Sequence, residues 1–312
     1  MNKEIMESPM NQLGKKLWQQ KALLLMVLPG ILMVFVFRYI PIYGILIAFK
    51  NYKTARGVWG SPWADPLLKN FIQFFKNVNS TQILWNTLKI GVVSIIFTFP
   101  APIIFALLLN ELKGNLLKRG VQTVSYIPHF ISVVVICSML NGFGSLNGLF
   151  NDLRDILGMA RVDMNNGDKY FLLMYVGSAV WQGIGWGSIV YLSALSNVDT
   201  SLYDVANIDG ANRFQKIQHI AWPAMLPTTS VLLILNAGAV LNTDFTKVLL
   251  MQNDSNRSML EVISTFVYHQ GIESGHFEYA TAVNLFISII CLILVYGTNA
   301  FVRKTSPENN LW

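Results

Sequence analysis

The chain has 312 residues, of which 53% are hydrophobic and 13% charged, with a formal net charge of +6. A soluble domain carries about a quarter charged residues, so composition excludes an ordinary soluble globular domain. The deficit lies in long uncharged runs, and about 20 mainly apolar helical residues suffice to cross a bilayer core about 30 Å thick.

In chain order, six segments qualify: roughly 22–42, 83–109, 122–142, 171–196, 224–243 and 280–302. Lipid offers no partners to free backbone groups, so each must be a closed helix. The alternation of a membrane barrel is absent. The expected fold is therefore all-α, a polytopic membrane protein with about six transmembrane helices.

The first segment follows Lys15, Lys16 and Lys21 but runs on through Phe35, Phe37 and Ile40 without a small-residue cleavage site. It reads as a retained first span behind an N-terminal tail, 1–21. Pro29 and Pro41 in this span, Pro100 and Pro102 in the second and Pro128 in the third bend helices for packing. Arg38 and Lys89 are expected to snorkel to an interface. The stretch from Phe71 to Phe75 is expected to lie on the membrane or pack against the outer helix ends. His129, after Pro128, is expected to hydrogen-bond between helices. Cys137 and Cys291 fall inside spans and read as small buried apolar residues, with no disulfide or metal site in view. Gly177, Gly183, Gly185 and Gly187 in the fourth span suggest close helix packing.

Between the fourth and fifth spans lies a polar island, 197–223. Ser201 with Asp204 three residues later reads as a helix start. Leu202, Val205 and Ile208 then share one face at helical spacing. Gly210 fits a left-handed C-terminal cap. A second short helix follows, with Phe214, Ile217 and Ile220 on its apolar face and Arg213, Gln215, Lys216 and Gln218 around it. Pro223 is expected to end it and begin the fifth span. Two short amphipathic helices around a glycine turn can lie on a membrane surface or enter a partner groove.

Lys and Arg totals on the two sides are nearly equal, but the pieces on the N-terminal side are shorter, so charge density favours a cytoplasmic N-terminus. The island and the C-terminal tail, 303–312, then share that side. Lys3, Lys113, Lys118, Arg119, Arg303 and Lys304 join the lysines already named there. The outside loops hold Asp152, Asp155, Asp163 and Asp168, and further on Glu273 and Glu278.

The island also carries a fixed spacing: Asp204-Val205-Ala206, Gly210 six residues after the Asp, then Ile220 and Pro223. This resembles the EAA loop of permease subunits in type I binding-protein-dependent ABC importers. The Asp209-Gly210-Ala211 triplet matches the form common in carbohydrate permeases (the MalF/MalG-like group). Asp204, Val205 and Trp222 stand where that family usually has Glu, Ala and Leu. Leu28-Pro29-Gly30, Tyr39 to Gly44, Gly60 to Trp63, Phe99 to Pro102, Ala106 to Glu111 and Gln122 to Ser132 resemble its LplB-type branch, whose members are linked to oligosaccharides and polysaccharide fragments.

The resemblance implies a transmembrane permease domain over 22–302, including the coupling loop, in the cell membrane of a bacterium. It implies a second homologous permease, two ATPase subunits that bind ATP and Mg, an extracellular solute-binding protein and a carbohydrate substrate. The chain itself has no Gly-rich phosphate loop, so no cofactor and no catalysis are expected on it, and nothing points to nucleic acid. The loop residues expected to meet an ATPase are Asp204, Val205, Ala206, Asp209, Gly210, Ala211, Arg213, Phe214, Ile217, Ile220 and Pro223. Polar and aromatic groups inside spans are the candidate path lining: Trp181, Gln182, Trp186, Tyr191, Asn236, Asn242, Asp244 and Asn284. Trp beside Gln suits a sugar, which stacks and hydrogen-bonds. Such residues also anchor interfaces and bond between helices. An ion-coupled transporter would call for buried acids and internal repeats, and a mere ATPase anchor would not need polar groups at several depths. Within the importer class, a non-sugar solute is the alternative.

Overall fold

The computed structural model describes residues 18–112 and 114–305. Lys3, Lys15, Lys16 and Lys113, most of the 1–21 tail and 306–312 lie outside them. Among the described residues there are helices, turns and one isolated bridge, between Lys50 and Trp63.

The chain opens with α1 (Lys21–Val34), which passes through a π turn at Phe35–Tyr39 into a 3-10 stretch, Ile40–Phe49. The first span thus reaches beyond the predicted 42, and Pro41 sits at the start of the 3-10 stretch where its missing N–H costs nothing. Then come α2 (Lys69–Lys76), α3 (Ser80–Thr98) and α4 (Pro100–Asn110). The break between α3 and α4 falls at Pro100, which starts α4.

The third predicted span, 122–142, is not one helix. Amphipathic α5 (Asn115–Tyr126) runs into a 3-10 turn at Ile127–Phe130, and Ile131 is extended. Ser132 then caps α6 (Val133–Gly144) by accepting from the Val134 N–H. Pro128 lies in that turn, where a continuous helix would leave a carbonyl unpaired. Next come α7 (Leu149–Ile156) and the long α8 (Asp168–Ser196). The predicted island forms α9 (Thr200–Ile208) and α10 (Arg213–Lys216), followed by a π turn, Ile217–Ala221, and α11 (Trp222–Ala239). After α12 (Phe245–Met251) and α13 (Ile263–Tyr268), the chain closes with α14 (Phe277–Thr305).

Five helical segments among the described residues are long and apolar enough to cross a membrane: Lys21–Phe49, Ser80–Asn110, Val133–Ile156, Arg213–Ala239 and Phe277–Thr305. Helix α8 has the length, 29 residues, but its Gly, Ser, Trp and Gln make it less apolar. It compensates by position: α8 packs on α3, α4, α5 and α11 at the centre of the bundle.

Three apolar cores hold the bundle together, two of them on α8. One joins the N-terminal half of α8 to α6 and α12 through Phe171, Met174, Tyr175, Cys137 and Val248. A second joins α2, α3, α13 and α14 through Phe74, Ile83, Phe266 and Val283. The third joins α4, the end of α8 and the start of α11 through Ile103, Ala106, Tyr191, Leu195 and Met225. Phe74 is buried against Phe266 and Phe286, so the Phe71–Phe75 stretch packs against helix ends, as expected. Both cysteines are free and buried.

Of the fourth-span glycines, two mark close approaches. A Cβ on Gly185 would stand 2.2 Å from the Ser125 carbonyl oxygen, and one on Gly187 would stand 2.9 Å from Pro102. Gly177 and Gly183 have nothing within 4 Å.

Candidate functional site

The loop between α8 and α11 is built by local capping. Asp199, not Ser201, is the N-cap of α9: its carboxylate accepts from the Ser201 N–H at 2.9 Å. That N–H, with the Ser201 hydroxyl, lowers the Asp199 pKa. At the other end Gly210 takes φ +72°. The Ala211 N–H donates to the Ala206 carbonyl at 2.9 Å and the Gly210 N–H to Asn207 at 3.2 Å. This pair of bonds is the Schellman arrangement, which leaves Gly as the residue without a Cβ penalty.

Two residues that sequence reasoning missed hold the second helix. Asn212 accepts from the Gln215 N–H at 2.9 Å, while Gln215 accepts from the Asn212 N–H at 2.8 Å. This capping box was legible in the Asn-x-x-Gln spacing. Lys216 then reaches back to Asn207 and ties the two helices together. Tyr203 turns toward Asn110 and Glu111 at the end of α4, and burial raises its pKa.

Pro223 does not end the second helix. Helix runs without interruption from Arg213 to Ala239. The turn before Pro223 is π, and the Trp222 N–H bonds back to Ile217. The wider turn moves the bonding register where Pro223 supplies no donor.

The loop's apolar face finds no cover among the described residues. Leu202 is 52% exposed, Val205 56%, Ile208 85% and Phe214 72%. Asp204, Asp209 and Arg213 are exposed beside them, and Ala206, Ala211, Ile217 and Ile220 are partly buried. Burying four such side chains elsewhere would release on the order of 5 kcal/mol before ordering costs.

The candidate path residues separate into several places. Asn236, Asn242 and Asp244 gather with Ser94, Thr98 and Tyr175 around a polar pocket of about 220 Å³. Asn242 and Asp244 lie beyond α11, which ends at Ala239 rather than near 243. Asp244 caps α12 by accepting from the Lys247 N–H at 3.0 Å, and its own N–H donates to the Tyr175 hydroxyl. Asn284 lines a different pocket, of about 410 Å³, with Phe245, Tyr268 and Phe277. Trp181 stands between two lateral clefts on α8. Gln182 donates to the Ile131 carbonyl at 3.0 Å and so holds the break in the third span.

Trp186 lies flat on His129, with ring centroids 4.5 Å apart and planes at 2°. The expected interhelical hydrogen bond of His129 is therefore a stack. Tyr191 is 3% exposed inside the third core, so in this conformation it packs and does not line a path. Of the acids expected in the outside loops, Asp152 and Asp155 both pair with Arg161, and Asp163 caps a short turn.

The model of the family described as binding-protein-dependent transport system inner membrane component matches residues 98–306, which include the whole loop. The chain is 40% identical to Protein LplB of Bacillus subtilis over 93% of this chain and 91% of that protein. It is 39% identical to YteP of the same organism, a polygalacturonan/rhamnogalacturonan transport system permease protein, over 94% of this chain and 91% of that one. Among solved structures it superposes on a chain of a bacterial ABC transporter involved in import of the acidic polysaccharide alginate. The TM-score is 0.85 at 31% identity, covering 95% of this chain and 99% of that chain.

Proposed function

This chain belongs to the binding-protein-dependent transport system inner membrane component family, and from that premise we propose that it is a transmembrane permease subunit of a carbohydrate ABC importer. Its solute is an oligosaccharide or polysaccharide fragment, delivered by an extracellular binding protein. A second permease completes the path, and two ATPase subunits hold ATP and Mg and carry out the hydrolysis. The N-terminus and the α9–α10 loop face the cytoplasm of a bacterial cell.

One observation carries this reading: a rigidly capped pair of helices presents an uncovered apolar face in the EAA register. Leu202, Val205, Ile208 and Phe214 supply the face, and the Gly210 turn and the Asn212–Gln215 box fix its shape. Such a face suits a groove on an ATPase. The third core connects it to the path, because Tyr191 and Leu195 of α8 pack with Ala221 and Met225 around the start of α11. A displacement of the loop therefore moves α8 and α11 together. The names of similar proteins support a saccharide solute.

The test is purification from the native membrane in mild detergent, with identification of what co-elutes. A second permease and an ATPase are expected, and ATPase activity should rise with the loaded binding protein. Phe214→Asp should abolish that stimulation while leaving membrane insertion intact. Recovery of the chain alone after crosslinking, or full stimulation in Phe214→Asp, overturns the reading.

A further inference from the structure

Two pockets adjoin at the turn that follows α11. The polar one, of about 220 Å³, is lined by Ser94 and Thr98 of α3, Asn236 of α11, and Asn242, Thr243 and Asp244 of the turn. Ser94 and Thr98 fall near the middle of the Ser80–Asn110 span, so this pocket reaches about halfway along it. The other, of about 410 Å³, sets the rings of Phe245, Tyr268 and Phe277 beside Asn284. Thr243 of the first and Ser264 of the second share a hydrogen bond of 3.0 Å. Among the described residues, Asp244 is the one charged group in either lining.

Helix capping does not account for that charge. Asp244 caps α12 through the Lys247 N–H at 3.0 Å, and Asn or Ser would cap as well while sparing the cost of a carboxylate among spans. Asp244 is exposed. Lys247, three residues on, is withdrawn from the pocket: it is 3% exposed, lies in neither lining, and gives its Nζ to the Tyr175 carbonyl at 2.9 Å.

We propose that Asp244 determines specificity: the pocket it lines takes an uncharged saccharide unit and turns away a uronate. Resting on the carbohydrate-permease reading, this names the class of its solute. The hydroxyls and carboxamides of Ser94, Thr98, Asn236 and Asn242 donate and accept, as sugar hydroxyls do. A carboxylate accepts from a sugar hydroxyl more strongly than a neutral group does. A uronate there would bring a second carboxylate with no cation in the lining to meet it. At about 5 Å and an effective dielectric of about 20, with part of the repulsion offset by buried Lys247, discrimination is roughly tenfold. The chain thereby differs from the similar alginate importer, whose solute is an acidic polysaccharide.

The test uses the assembled transporter in liposomes, with Cys137 and Cys291 changed to Ala and Asn242→Cys placed in the pocket. Methanethiosulfonates bearing a trimethylammonium or a sulfonate are compared, each rate divided by its rate with a free thiol. The cationic reagent should react roughly tenfold faster. Asp244→Asn, which keeps the cap, should bring that ratio close to one. Should Asn242→Cys fail to assemble, Asn236→Cys carries the same comparison. Equal rates, a ratio unmoved by Asp244→Asn, or no labelling with or without ATP overturns the proposal. The second arm is mass spectrometry of the solute carried by the importer's own binding protein. A neutral saccharide is expected, and a uronide overturns the proposal. A transporter whose ATPase no loaded binding protein stimulates sinks the permease reading instead, while the labelling ratio still reports the charge of the pocket, so the two fail separately.

Discussion

Lys247 should be replaceable by methionine with a gain in stability. Its side chain is 3% exposed, and its Nζ donates to the Tyr175 carbonyl at 2.9 Å and lies 4.9 Å over the Tyr175 ring. Burial pulls its pKa from 10.5 down to about 8. That drop corresponds to about 3 kcal/mol charged against the folded, protonated form at 1.36 kcal/mol per pH unit. Met fills a similar volume without the charge. It forfeits one hydrogen bond and the contact with the Tyr175 ring, so the net gain at neutral pH is about 1 kcal/mol.

The neighbouring thiol supplies the assay. The Cys137 Sγ lies 3.9 Å from the Lys247 carbonyl oxygen, inside the same core. With Cys291 changed to Ala, labelling of Cys137 by a thiol reagent reports how often α12 lifts away. A gain of that size slows labelling roughly fivefold. The pH dependence has a fixed sign. Below about 8 the lysine is protonated whether α12 is docked or open, and docking bears the full penalty. Between about 8 and 10.5 the docked lysine has lost its proton while the opened one keeps it, so docking strengthens as pH rises. The ratio of wild-type to Lys247→Met labelling should therefore shrink toward one across that window. Faster labelling in Lys247→Met at neutral pH, or a ratio constant with pH, refutes the reasoning.

Two further outcomes follow from packing. Gly91→Ala places a methyl 1.9 Å from the Val240 carbonyl oxygen, whereas Gly177→Ala meets nothing within 4 Å; thermal melts should show a loss of about 1–3 kcal/mol for the first and no loss for the second. Gln182→Leu leaves the Ile131 carbonyl without its donor; it should cost about 1–3 kcal/mol and reduce solute uptake, with unchanged uptake and melting placing Gln182 outside both packing and path.

Legibility followed the range of the forces. The loop was readable because its determinants are local: Gly210 as a cap and Leu202, Val205 and Ile208 as one face are each fixed within a few residues. The same local rules, applied more fully, contain the Asn212–Gln215 box and the Asp199 cap. Hydropathy located the spans but not their breaks. It is blind to the turn at Ile127–Phe130, which depends on Pro128 and on Gln182 holding Ile131 from another helix. The candidate path suffered most. Tyr191 and Asn236 are both polar residues in spans, yet one is enclosed by α4 and α11 and the other faces a pocket. Which face of a buried helix meets a neighbour is a tertiary fact, absent from the composition of the helix itself.

The position of Pro223 makes a last case, because there the local rule failed informatively. A proline is expected to stop a helix, yet helix continues from Arg213 to Ala239, 27 residues. The π turn at Ile217–Ala221 absorbs one extra residue just before the proline. At 1.5 Å per residue the result is a rod of about 40 Å, joining Phe214 at the loop to the region of Asn236 at the polar pocket. A continuous rod passes a push at one end to the other, and a broken one would not. Deleting Gln218 should remove the π turn and rotate the Phe214 face by about 100° relative to α11. Combined with Pro223→Ala, which restores the backbone donor, the deletion should leave the helix and membrane insertion intact. ATPase stimulation by the loaded binding protein should nevertheless be lost, since the apolar face now points away from its groove. Normal stimulation in the double variant would show that the orientation of Phe214 on the rod is not what couples the loop to the path.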